Sequence, residues 1–280
     1  MQYKVSIKRK CYLLSVLLMT VWLTGCVQEE FESTPSPAGN GIRFTLTVPD
    51  VNLPSVSSRT MTGTGTAKKE DEIETVDILV FDMSKTPAVF LEWVSATGVT
   101  QDLADNSTVS FSAVLSPTTA STCIVVVANK ELDNIVSGFT KGATTKVEAM
   151  EKMLHTQTGK WLADGSTTGG YTRIPMYGEK VISKITPSMD PITGINMKRM
   201  LARIDIRNNS ATSNFTVEEV YLANYNTTGY IAPAWNTNGQ VTDPVPDTPV
   251  LPAGSGKKTE EGDAILYSVN GNTPYDGEIY

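Results

Sequence analysis

Gly41-Ile42-Arg43-Phe44-Thr45-Leu46-Thr47-Val48-Pro49 is the first part of the chain with a folding pattern. Ile42, Phe44, Leu46 and Val48 alternate with Arg43, Thr45 and Thr47. Neighbouring side chains of a strand point to opposite faces, so this spacing predicts a strand with one buried face. Pro49 has no N–H to give to a ladder and ends the strand. The same logic carries downstream. Ile73 to Phe81 predicts a strand with Val76, Ile78 and Val80 on one face, and Val89 to Val94 a partner. Val109, Phe111, Ala113 and Leu115 alternate. Cys123 to Ala128 is apolar at every position, as in a central strand covered on both faces.

Residues 144–155 predict a helix. Val147, Met150 and Leu154 form its apolar stripe, with Lys146, Glu148, Glu151 and Lys152 facing elsewhere, and Glu148 stands at capping-box spacing from Thr145. Strands resume at about Val181 to Ile185, and Met200, Ala202, Ile204 and Ile206 alternate again. Phe215 and Val217 share one parity, Val220 and Leu222 the other, which implies a bulge near Glu218-Glu219. Residues 50–70 and 233–262 are rich in turn formers and predict long loops. Many short strands and one or two short helices give an all-β class, a β-sandwich.

Residues 1–25 read as a targeting segment. Lys4, Lys8, Arg9 and Lys10 precede the apolar run Cys11 to Leu23, and Leu23-Thr24-Gly25-Cys26 resembles a bacterial lipobox. Cys26 is then the lipidated residue of a signal peptide cut before it. Loss of four positive charges and no acid takes the formal net charge from -7 to -11. Residues 26–40 form an acidic tether with Glu29, Glu30 and Glu32. A net negative chain is not expected to bind nucleic acid. With Cys26 lipidated, Cys123 is the remaining thiol, and its apolar surroundings predict a buried, inert one.

No G-x-S-x-G, Walker A or G-x-G-x-x-G motif occurs in the chain. His155 is the sole histidine, read as a boundary residue on the helix. Asp102, Asp105 and Asn106 do not have EF-hand spacing. Glu218 and Glu219 point to opposite faces of a strand and do not form a carboxylate pair. The residues predict neither catalysis, cofactor nor metal.

Several pieces then resemble the Bacteroidales-type fimbrillins, the FimA-like and Mfa-like fimbrial subunits. They are the lipobox, Glu72-Ile73 leading into Val76 to Asp82, and Val125 to Lys130. Ile174 to Glu179, Arg199 to Ile206 and Gly229 to Pro233 follow in order. The resemblance implies transthyretin-like Greek-key sandwiches: a first domain over 41–235, and over 236–280 a linker with the start of an incomplete second domain. It implies a structural subunit of cell-surface fimbriae that mediates adhesion, exported as a lipoprotein to the outer membrane. A trypsin-like surface protease would cut after a basic residue and release the first strand. Here Arg59 is the matching site, and Ile42, Phe44, Leu46 and Val48 belong to the released strand. A strand from another subunit would then fill the groove and build a head-to-tail polymer. The alternative is a surface glycan-binding lipoprotein of a nutrient-uptake system, which would need Trp93, Trp161, Trp235 or Tyr230 as an exposed aromatic platform.

Overall fold

The computed structural model describes residues 42–48, 71–101, 108–157, 161, 173–202, 204–207, 219–242, 250–253, 255, 265–268 and 276–279. The alternating stretch forms β1 (Ile42–Thr47). It is followed by β2 (Val76–Asp82), β3 (Val89–Ser95), β4 (Thr97–Gln101), β5 (Thr108–Ala113) and β6 (Thr122–Ala128). Helices α1 (Asp133–Val136) and α2 (Lys146–Lys152) come next, then β7 (Leu154–Thr156), β8 (Met176–Ile182), β9 (Ile192–Asn196) and β10 (Lys198–Arg199). The remaining described strands are β11 (Ile204–Arg207), β12 (Glu219–Leu222), β13 (Thr228–Tyr230), β14 (Ile265–Ser268) and β15 (Asp276–Ile279).

Two sheets make the sandwich, in the orders β4-β5-β1-β9 and β10-β8-β6-β2-β3. Their facing side chains form one core: Ile42, Phe44 and Leu46 from β1 meet Ile78, Val80, Ile124 and Val126 from β2 and β6. Both flanks are closed by chain that passes from one sheet to the other. The β3 segment bends at Ala96, whose N–H donates to the Val76 carbonyl, and continues as β4. On the other flank β9 bends at Met197, whose N–H donates to the Thr47 carbonyl, and continues as β10. Gly178 on β8 permits this second turn: a Cβ there would lie 2.7 Å from Met197 Sδ and 2.8 Å from Ile195 Cγ2.

The five-stranded sheet is covered on its outer face too. Leu79, Phe81, Cys123, Val125, Val127 and Tyr177 pack beneath Leu132, Val136, Ala149, Met150 and Met153. That layer explains why β6 is buried at every position. Thr145 caps α2 with the expected Glu148 capping box. The helix is shorter than 144–155, and its inward face differs from the expected stripe. Lys146, Ala149 and Met150 are buried, Val147 is half-buried, and Leu154 lies on β7. Lys146 turns inward because a carboxylate waits there, described below.

β2 begins at Val76 rather than Ile73, although Ile73 is buried, and β8 begins at Met176, ahead of the expected start. The alternation from Met200 to Ile206 is not one strand: β10 ends at Arg199 and β11 begins at Ile204. β11 pairs with β15 and β12 with β14, both antiparallel and apart from the two large sheets. Residues 215–218, where a bulge was expected, lie outside the described residues.

Candidate assembly site: the groove of the first strand

β1 sits inside the four-stranded sheet, between β5 and β9. Against β5 it runs antiparallel in unbroken register, from Ile42 opposite Ala113 to Thr47 opposite Thr108. Against β9 it runs parallel, with Phe44 opposite Ile192 and Leu46 opposite Ile195. A step of two on β1 therefore meets a step of three on β9. Gly194, at φ 70°, lies inside that longer step, and a residue without Cβ takes up the bulge at no steric cost.

The four residues singled out in the sequence come together on one face. Ile42, Phe44, Leu46 and Val48 are 5%, 1%, 0% and 1% exposed, while Arg43 and Thr47 face out. Their walls are Val109, Phe111 and Ala113 of β5 and Ile192 and Ile195 of β9. Phe44 stacks on Phe111 with centroids 5.0 Å apart and planes 7° from parallel. Cys26 and Arg59 lie outside the described residues, as do Asp102, Asp105, Asn106 and Glu218. The second wall, β9, escaped sequence reading. Ile192 and Ile195 are three apart, so a search for period two passes over them.

A second cluster lies on the outer face of the five-stranded sheet. Lys146, 0% exposed, donates from Nζ to Glu179 Oε2 and to the Gly239 carbonyl, both at 2.6 Å. Tyr177 Oη donates to the same Glu179 oxygen at 2.6 Å, and the Val241 N–H to Oε1 at 3.2 Å. Burial and then the Glu179 charge hold the Tyr177 phenol well above its ordinary value. The contacts give the buried Lys146 and Tyr177 polar groups their partners, and those of Gly239 and Val241 tie residues 239–241 to the helix and the sheet. The Cys123 thiol is pushed up to about 12 by burial, so the nucleophilic thiolate is suppressed.

His155 lies on β7, not on the helix, with its ring 4.8 Å from Trp161; burial lowers its pKa below the ordinary histidine range. The aromatic residues considered for glycan binding are mostly packed. Trp161 is 6% exposed, Trp93 lies against the outer core, and Trp235 meets Tyr230 edge to face at 4.9 Å. Trp161 and Tyr230 do share a cleft of about 300 Å³ with Tyr225, Val250 and Leu251. Among the described residues no group of three or more His, Cys, Asp or Glu could hold a metal.

A model of the major fimbrial subunit protein (FimA) family matches residues 42–199, more than half of the chain. The chain belongs to that family. The matched range begins at β1 and ends with β10, so it covers both sheets of this fimbrial subunit. Among solved structures, a fimbrial assembly protein from Parabacteroides distasonis is similar at 12% identity and a TM-score of 0.37, covering 85% of each chain. A protein of the same organism assigned to cell adhesion is similar at 18% identity and a TM-score of 0.40, covering 86% of this chain and 70% of the other. No curated protein matches the chain.

Proposed function

We propose that this fimbrial subunit is a non-enzymatic building block exported as a lipoprotein on Cys26 and anchored in the outer membrane as a precursor. A trypsin-like surface protease cuts after Arg59, between β1 and β2. β1 then leaves, and a strand of another subunit takes its place, so that head-to-tail contacts build an adhesive surface polymer. Such a contact is heterologous and propagates. The observation that carries this reading is the seat of β1. It is the first described strand, held between two others, with Ile42, Phe44 and Leu46 and the following Val48 all buried. Its departure would open two sheet edges and an apolar trough, which only another strand satisfies together. Burial of those side chains is worth roughly 6–12 kcal/mol before entropy.

The test is the N-terminal sequence and intact mass of the protein taken from native cell surfaces. A start at Thr60 is expected for the assembled form. A start at acylated Cys26, with residues 41–59 present in polymer as well as precursor, would overturn strand release. Arg59→Ala should keep the chain monomeric on exposure to the protease.

A further inference from the structure

We propose that the groove selects its incoming strand by an aromatic side chain at one position, and that Phe111 is the residue that reads it. This rests on the strand-exchange reading above. The occupant is an extended segment of a second subunit with the order aliphatic, x, aromatic, x, aliphatic, x, aliphatic.

The three inward positions of β1 are not equivalent. Ile42 faces Ala113 across the ladder and Leu46 faces Val109, both aliphatic pairs. Phe44 faces Phe111 directly, so the rings are cross-strand partners as well as stacked ones. On its other side Phe44 meets Ile192, the last residue before the β9 bulge. With β1 gone, the middle of the trough is a flat slot, one wall a ring face and the other a branched aliphatic. A Leu there leaves the ring face partly uncovered, and a Val or Ala leaves a void. A second ring fills the slot and regains the stacking energy. The flanking ladders also set direction: the entering strand runs antiparallel to β5 and parallel to β9.

The experiment uses the full chain with a specific protease site placed within residues 49–70. The protein is purified whole, cut, stripped of β1 in mild denaturant, and refolded with fluorescein-labelled peptides of residues 41–49. One peptide carries Phe44, others carry Phe44→Leu or Phe44→Ala, and a control exchanges the apolar and polar positions. The Phe44 peptide should bind about three- to tenfold more tightly than the Phe44→Leu peptide. In a Phe111→Leu protein this preference should fall below about twofold. Equal binding of the Phe44 and Phe44→Leu peptides to the unmodified groove overturns aromatic selection and leaves strand exchange standing. Binding of every peptide no better than the control overturns strand exchange, and aromatic selection with it. A preference that persists unchanged in Phe111→Leu overturns Phe111 as the reader, and should that variant fail to refold, Phe111→Met is measured in its place.

Discussion

Phe44 contributes to the fold by two routes at once: it fills the middle of the core, and its ring lies flat on Phe111. Truncation removes both and leaves a cavity between two sheets that are held apart by the rest of β1. Phe44→Ala should therefore lower the unfolding free energy by about 3–5 kcal/mol, measured by urea denaturation. Thr47→Ala, on the outward face of the same strand, should change it by no more than about 0.5 kcal/mol. Similar losses for the two would mean that β1 is not seated as described. Asp77 makes a different kind of statement. It is a buried acid on β2 that accepts a hydrogen bond from Ser95 Oγ at 2.7 Å. Burial raises its pKa above 3.8, and the Ser95 bond offsets only part of that. The folded protein then takes up this proton before the unfolded chain does, so this group adds stability as pH falls through its folded value towards 3.8. Asp77→Asn removes the effect while keeping an acceptor for Ser95. The variant should gain most over the parent at neutral pH, with the gain shrinking near pH 4, in paired urea titrations. A gain that is the same or larger at pH 4 would show that burial does not govern Asp77.

At the scale of elements, helix α2 shows how a polar group can be recruited into a core. Its capping box was legible, because Thr145 and Glu148 carry it in four residues. Its inward face was not. A lysine reads as solvent-facing unless its partner is known, and the partner, Glu179, lies on β8. β9 was hidden for a related reason: its bulge makes sense only beside β1, and no local period reveals it. By contrast β1, β5 and β6 were legible, since each needs only alternation or a continuous apolar run to show which faces are covered. Removing one charge of a buried pair strands the other in low dielectric. Lys146→Met should thus cost about 3–5 kcal/mol. In the double variant Lys146→Met with Glu179→Gln, neither charge is stranded and Tyr177 keeps an acceptor, so at least half of that loss should return. Equal denaturation midpoints for single and double variants would remove the stranded charge as the cause. The same pair also bears on residues 239–241, since Gly239 and Val241 bond to it. Chymotryptic cleavage after Trp235 should accelerate in Lys146→Met and slow again in the double variant.

For the whole molecule, the connection between β1 and β2 determines whether the first strand is part of the protein or a ligand of it. While residues 49–70 are continuous, β1 closes its groove within one molecule, and dilution has no bearing on it. Once they are cut, the same contacts become a complex between two chains, and mass action applies. A hundredfold dilution then weakens the complex by about 2.7 kcal/mol. For a chain of this size that corresponds to a melting shift of about 5–10 °C. The cut protein should therefore melt lower at low concentration, while the uncut protein melts at one temperature throughout. The difference is what a polymerising subunit needs. Under the proposed strand exchange, no neighbour would compete with an intramolecular strand before the cut, and the precursor would stay single. After the cut, the same proposal has any strand at higher local concentration, or with better contacts to Phe111 and Ile195, take the groove. A concentration-independent melting temperature for the cut protein would mean that the rest of the sandwich holds without β1 or never lets it go. In either case release of the first strand could not be the step that starts assembly.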